Sequence, residues 1–174
     1  MLVFGVSRKV PVVSTVVPPV GQEETHVGLP TRLVIPAIAV DAAIEYVGVA
    51  PDGSMGIPKD PGEVAWFELG PRPGEEGSAV IAGHFGWKNN LPAVFDDLDV
   101  LRKGDSLYVE DEEGMVTTFV VRESRLYDPQ EDAEDVFGSS DGEAHLNLVT
   151  CEGVWDPVSK SYAKRLVVFT DREE

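Results

Sequence analysis

The sequence predicts an all-β fold, and three features of its 174 residues support this. Its apolar runs are short, as strands are, and several alternate between apolar and polar residues. Turn residues separate these runs, with 17 glycines and 13 prolines along the chain. The hydrophobic fraction of 43% is ordinary for a globular protein. We therefore expect a single β-domain with a sizeable core and only short helices.

The first half of the domain reads as strands separated by turns. The first predicted strand, 32–38, contains Pro36, which places that strand at an edge or a bulge. A second candidate strand, 43–49, precedes the turn 51–53, in which proline presets one φ angle and glycine accepts a positive one. The segment 64–69 is strand-like and leads into a loop rich in glycine and proline.

The middle of the chain combines a buried strand with a hairpin. The apolar segment 78–82 predicts a buried strand that runs directly into His84. Apolar residues in 91–101 recur at helical spacing, which favours a short helix or a 3₁₀ turn. The alternating segments 106–110 and 115–121 flank an acidic turn that ends in glycine, which is typical of a hairpin.

The last third contains an acidic loop followed by two strands. The segment 128–143 holds seven acidic and no basic residues, and we expect a long loop with one helical turn. Next, 145–150 predicts a strand that ends on Cys151. The closing strand, 162–170, carries Arg165.

Residues 1–30 differ from the rest of the chain. They are rich in valine and proline, and Pro11, Pro18 and Pro19 forbid a stable helix there. Their positive charges follow the first apolar stretch instead of preceding it, which is the reverse of a signal peptide. The sequence predicts an extended tether over 1–30 and one folded domain over 31–174.

Charge and cysteine content exclude several classes of function. The chain has 31 acidic and 14 basic residues, a formal net charge of −17, which argues against nucleic acid or an anionic lipid surface as a partner. One cysteine excludes an internal disulfide and every multi-cysteine metal site. The acids of 128–143 lack the spacing of an EF-hand loop, so no metal and no cofactor are predicted.

Cys151 and His84 are the candidates for nucleophilic catalysis. Each follows a buried strand, and strand ends on a rigid scaffold are common places for catalytic groups. A thiol nucleophile needs a nearby base or cation to form its thiolate, and in a barrel two strand ends can meet at one rim. The alternative is an inert core thiol together with a structural histidine.

Arg165 is the candidate for stabilising negative charge. Its strand is apolar on both sides, so the side chain is either a solvated edge charge or an anchor for an anion. Acyl transfer creates an oxyanion that needs fixed donors, and a guanidinium presents permanently charged donors in a rigid fork.

These residues and their surroundings resemble the sortases, which are surface cysteine transpeptidases of bacteria. The resemblance lies in Ala82-Gly83-His84, in Leu148-Val149-Thr150-Cys151 and in Arg165 fourteen positions further on. The family's cysteine motif reads Thr-Leu-x-Thr-Cys, and Asn147 stands at its first position here. The resemblance spans about 31–172, and further segments fall in family order: 32–38, 56–58, Trp66, 73–84 and 95–105.

The resemblance implies a closed eight-stranded β-barrel and a role for each site residue. Cys151 would be the nucleophile, His84 the general acid and base, and Arg165 the stabiliser of substrate and oxyanion. Glu152 would offer its backbone N–H to the oxyanion, as the residue after a nucleophile often does. Val136 and Phe137, the large apolar pair of the acidic loop, would help to form a wall of the peptide groove.

The resemblance also implies partners and a location. Sortases cleave secreted proteins within a C-terminal pentapeptide such as Leu-Pro-x-Thr-Gly and pass the acyl group to an amine of a cell-wall peptide or a pilin lysine. This implies action at the outer face of the plasma membrane, with membrane association only through an anchor absent from residues 1–174. The spacing of the elements favours the classes called D, E and F over the pilin-polymerising class C.

Two other functions remain open at this point. A thiol endopeptidase would use the same site and let water resolve the acyl-enzyme. A non-catalytic β-barrel binding module would keep Cys151 as a core thiol.

Overall fold

A computed structural model of the protein describes residues 26–174. The predicted tether 1–30 lies mostly outside the described residues. Residues just before the first strand already contact the barrel, because Gly28 N–H donates to Asp111 and Leu29 N–H donates to Glu112. No helix within the described residues is long and apolar enough to cross a membrane.

Eight strands form a closed barrel, which confirms the predicted all-β fold. Its strand order is β1-β2-β3-β4-β7-β8-β6-β5, and β5 returns to pair with β1. The strands are β1 (Pro30–Ile35), β2 (Val40–Val47), β3 (Val64–Phe67), β4 (Gly77–Gly83), β5 (Ser106–Asp111), β6 (Val116–Tyr127), β7 (Ala144–Asp156) and β8 (Ser161–Arg172). The predicted helical turn in the acidic loop is the short helix α1 (Glu134–Phe137).

Pro36 ends the first strand instead of creating a bulge in it. β1 stops at Ile35, and Pro36 opens a 3₁₀ turn over Pro36–Ile38. Proline lacks the N–H that a strand ladder needs, whereas its fixed φ suits the first position of a helix. The prediction of one strand over 32–38 was therefore too long.

The segment 91–101 contains a 3₁₀ turn, the second of the two forms that its spacing favoured, and the rest of it is irregular. Only Leu98–Val100 is a 3₁₀ turn. Phe95, Leu98 and Leu101 are nevertheless buried in the barrel core, so the helical spacing reflected packing positions. Asp96 organises the segment by accepting hydrogen bonds from the N–H groups of Gly86 and Ala93.

The core has an inner and an outer part. Alternating residues of the strands, among them Ile81, Leu148 and Val168, fill the barrel interior. A second cluster lies on the outer face of β4, β7, β8 and β6, beneath α1. Its buried members are Val80, Tyr127, Val136, Val167 and Phe169.

β7 continues past the predicted strand end at Cys151. It pairs with β8 as far as Asp156 and Ser161, although its partner on the other side, β4, ends at Gly83. The register shifts between Glu152 and Trp155, where Gly153 has a φ of +89°. Cys151 therefore lies within a strand, and the strand end beside it belongs to β4.

Candidate active site

Cys151 on β7, Arg165 on β8 and His84, directly after the end of β4, form one row along neighbouring parts of the sheet. Cys151 is the direct partner of Arg165 in the antiparallel β7–β8 pair. Ala82 is level with Val149 in the parallel β4–β7 pair, and the Thr150 hydroxyl donates to the Gly83 carbonyl at 2.8 Å, so the residues just before His84 and Cys151 are in contact. The structure thus brings together the three residues that the sequence selected.

The row lies on the outer face of the barrel. Side chains alternate between faces, and Leu148 and Val168 point into the core. Cys151 is separated from Leu148, and Arg165 from Val168, by an odd number of positions. Side chains at such a separation point to opposite faces of a strand, so Cys151 and Arg165 point outward. From the sequence, we expected His84 and Cys151 to meet at the barrel rim, each at the end of a strand. In the structure only β4 ends there, and the residues lie on the outer face of the barrel.

Cys151 has a thiol whose acidity is set by two opposing effects. The residue is half-buried, and desolvation raises the pKa of its thiol above the ordinary value. The positive charge of Arg165 acts in the opposite direction and lowers this pKa. Burial is the larger effect, so the neutral thiol predominates at neutral pH and needs a base to react.

His84 is oriented by a backbone carbonyl. Its Nε2 lies 2.6 Å from the carbonyl oxygen of Pro58. A carbonyl only accepts, so Nε2 carries a proton and Nδ1 is the ring nitrogen left for proton exchange. The ring also meets the edge of Trp87 at 4.7 Å between centroids.

The sequence did not identify a partner for His84 among the many acids. Its partner is the Pro58 carbonyl, a group that no side-chain pattern reveals. The one available signal was the place of 56–58 in the family order.

Thr150 fixes the end of β4 beside the row. It is buried, and its hydroxyl donates to the carbonyl of Gly83 at 2.8 Å. This bond joins the residue before His84 to the residue before Cys151. Sequence reasoning treated Thr150 only as a motif position.

The guanidinium of Arg165 is held by uncharged acceptors. Nη1 donates to the carbonyls of Tyr162 (3.2 Å) and Lys164 (3.0 Å), and Nη2 donates to the Ser161 hydroxyl (3.0 Å). The neighbouring Lys164 instead forms an ion pair with Asp128. The two adjacent cations therefore have different surroundings, as strand alternation requires.

The side chain of Glu152 lies on the other face from Cys151. Its register partner is Lys164, and its Oε2 is buried without a hydrogen-bond partner within the described residues. The carboxylate thus has no place in the row. The suggested role of the Glu152 backbone N–H stays a proposal.

Helix α1 sits on the same outer face as the row. Val136 is 2% exposed, and its carbonyl accepts a hydrogen bond of 2.7 Å from Asn147 Nδ2. Phe137 is 44% exposed and meets Phe67 edge-on at 5.6 Å. The hydroxyl of Tyr127 donates to Asp135 and ties the helix to β6.

One surface cavity lies far from the row of His84, Cys151 and Arg165. A cavity of about 910 Å³ is lined by residues that include Glu143, Ala144 and Arg172, at the start of β7 and the end of β8. Cys151 and Arg165 lie towards the opposite ends of these strands. The cavity therefore takes no part in the candidate site.

A thiol, a histidine and a cation on one face of a closed barrel are the groups that a cysteine enzyme needs for acyl transfer. The family model described as Sortase domain matches residues 33–173. The chain belongs to the sortase family and is a cysteine transpeptidase.

Solved structures of sortases share this fold. Sortase C-1 from Actinomyces oris is 25% identical, with 83% of this chain and 73% of that chain covered and a TM-score of 0.64. Streptococcus agalactiae sortase C1, in complex with MTSET, is 26% identical over 83% of this chain and 67% of that chain, with a TM-score of 0.64. No curated protein sequence matches the chain.

A third solved structure is similar in fold. The lid mutant of sortase A from Corynebacterium diphtheriae is 19% identical, covers 88% of this chain and 74% of that chain, and has a TM-score of 0.65. These three structures are of sortases C and A, whereas the sequence favoured class D, E or F.

Proposed function

We propose that this transpeptidase cleaves secreted proteins within a C-terminal sorting pentapeptide of the Leu-Pro-x-Thr-Gly kind. It then transfers the new carboxyl end to an amine of a cell-wall peptide or a pilin lysine. The observation that carries the proposal is the outer-face row of His84, Cys151 and Arg165. A row on an open face is accessible to an extended peptide.

In the acylation step the thiol of Cys151 attacks the carbonyl carbon of the scissile bond. His84 takes the thiol proton and later gives it to the leaving amine. The intermediate carries an oxyanion, which the guanidinium of Arg165 and the backbone N–H of Glu152 stabilise. Collapse of the intermediate breaks the C–N bond and leaves a thioester on Cys151.

In the transfer step an acceptor amine attacks the thioester. His84 removes a proton from the amine and gives it to the sulfur of Cys151, which leaves as the free thiol. The thioester conserves the energy of the cleaved peptide bond, so an amide forms without ATP.

The acidic segment 128–143 would form a wall for the peptide. Val149 and Val167 continue the outer face from the catalytic row towards α1, and Val149 packs against the cluster that contains Val136. We place the enzyme at the outer face of the plasma membrane, where sortases act, and assign it to class D, E or F on the spacing of its sequence elements.

A peptide panel tests the proposal. The protein is incubated with different sorting pentapeptides, with and without triglycine as the amine, and its mass is measured. A mass increase on Cys151 and an amide product with triglycine are the expected results. Cleavage that yields only the free acid would show a thiol endopeptidase. No acylation by any peptide, together with a native thiol that resists alkylation, would indicate a binding module.

A further inference from the structure

Of the three acceptors that hold the Arg165 guanidinium, one belongs to a side chain. Two of its three acceptors are the backbone carbonyls of Tyr162 and Lys164, which any residue at those positions would supply. The third is the hydroxyl of Ser161. Ser161 also donates to the carbonyl of Tyr162 at 3.3 Å, so its lone pairs remain available to the guanidinium.

These bonds leave part of the guanidinium free. A guanidinium has five N–H donors, and three of those of Arg165 are used. Nε–H and one Nη2–H remain. Nε and Nη2 are also the nitrogens with which Arg32 holds both oxygens of Asp41, each at 2.7 Å. In Arg165, Nε–H and one of the two Nη2–H groups have no acceptor within residues 26–174 and can meet an incoming oxygen.

The acceptors fix the side chain without neutralising it. Arg32 and Arg125 are paired with carboxylates, whereas within residues 26–174 Arg165 has no carboxylate within ion-pair distance. A hydroxyl and two carbonyls orient the fork and leave its full positive charge beside Cys151. An anionic partner would cancel the charge that a developing oxyanion needs.

The hairpin that carries Ser161 is itself anchored beside His84. Ser161 pairs with Asp156, and Tyr162 pairs with Trp155. The ring of Tyr162 meets Trp155 edge-on at 5.1 Å and Phe85 at 5.5 Å. Phe85 directly follows His84, so this contact links the support of Arg165 to the segment that carries the base.

We propose that Ser161 is a positioning residue, which holds the guanidinium of Arg165 beside Cys151 with its fully charged edge free for the substrate oxygen. The inference rests on the proposed function, since it assigns Arg165 its role in acyl transfer. It adds a residue outside the histidine, cysteine and arginine of the row.

Three variants test it. Ser161→Ala removes the acceptor, and Ser161→Thr keeps a hydroxyl at the same position. Ser159→Ala is the matched control, because Ser159 lies in the same hairpin and bonds only to Asp156 at 2.7 Å. Each is compared with the parent for peptide kinetics, for alkylation of Cys151 by iodoacetamide across pH, and for melting temperature.

We expect Ser161→Ala to lower kcat about ten-fold with little change in KM, as a lost hydrogen bond to a charged group does. Alkylation near neutral pH should slow about three-fold, because a displaced Arg165 no longer favours the thiolate. Ser161→Thr should restore both rates to within about two-fold of the parent. Ser159→Ala should match the parent.

Parental rates in Ser161→Ala, or a Ser161→Thr variant as slow as Ser161→Ala, would overturn the proposal. The proposal would also be overturned if the fall in kcat of Ser161→Ala were explained by a lower melting temperature while the alkylation rate of Cys151 stayed unchanged. If no sorting peptide acylates Cys151 in the parent protein, the proposed function fails. The alkylation rates of Ser161→Ala and Arg165→Gln then still test whether Ser161 positions Arg165. If Ser161 positions Arg165, alkylation of Cys151 is slower than in the parent in both variants. An alkylation rate in Ser161→Ala equal to that of the parent would exclude this role.

Discussion

Cys151 and Arg165 are direct cross-strand partners, and their side chains leave the same outer face of the barrel. The thiol of Cys151 is half-buried. It lies next to the guanidinium of Arg165, which has no carboxylate partner among the described residues. Burial keeps the nucleophile protonated at rest, and the cation is in place for charge that develops during reaction. In the proposed mechanism, this pairing lets one site hold a protonated thiol at rest and still stabilise an oxyanion during the reaction.

Cys151→Ala should abolish peptide cleavage and transfer while the fold persists. The substitution removes the only thiol of the chain from a half-buried position, so we expect a stability change of at most about 1 kcal/mol. Product formation and thermal melting measure the two effects. Residual cleavage in this variant would refute thiol catalysis.

Arg165→Lys should lose about 100-fold or more in kcat/KM, because lysine keeps the charge but not the rigid fork. Lys164→Ala is the control on the neighbouring residue. Lys164 lies level with Glu152 and pairs with Asp128 at the surface, where solvent screening leaves an ion pair with little effect on stability. We expect this variant to keep most of its activity. Equal activity of the two variants would show that Arg165 is a solvated strand residue.

Alkylation and catalysis should differ in their pH dependence. Burial raises the pKa of the Cys151 thiol, so alkylation should continue to accelerate as pH rises through the alkaline range. Arg165 lowers this pKa, and Arg165→Gln should move the alkylation profile to higher pH. Iodoacetamide titration of both proteins measures the shift. A profile that moves to lower pH would contradict the charge effect of Arg165.

Peptide cleavage should instead give a bell-shaped profile, because His84 must carry a proton for the leaving amine. Initial rates from acid to alkaline pH test this. A cleavage rate that rises monotonically to high pH would exclude His84 as the acid.

The sequence predicted what depends on local pattern. The strands that carry His84, Cys151 and Arg165 were evident from their apolar runs, and the family motifs selected the three residues. Strand alternation then separated Arg165 from Lys164, and the register of β7 and β8 agrees with that separation. Asn147, which departs from the family motif, anchors α1 through its bond to the Val136 carbonyl.

The rest depended on contacts between distant segments. Pro58 holds His84 through a backbone carbonyl across 26 residues, and a carbonyl has no sequence signature. β7 continues past Cys151 because β8 pairs with it on one side alone, which only the register reveals. Phe95 and Leu98 had helical spacing but fill the barrel from a series of turns, since burial took precedence over local periodicity.

Val136 and Phe137 should behave differently, although the sequence presented them as one apolar pair. Val136 is buried with Val80 and Phe169, so Val136→Ala should cost about 2 kcal/mol, or about 4–8 °C in melting temperature. Phe137 is half-exposed, so Phe137→Ala should leave the melting temperature nearly unchanged.

If the α1 wall contacts the peptide, Phe137→Ala should alter the ratio of kcat/KM between sorting peptides. Steady-state kinetics on several pentapeptides, alongside melting curves, separate the two effects. A uniform loss across peptides that follows a lower melting temperature in both variants would mean that the pair only attaches the loop to the barrel.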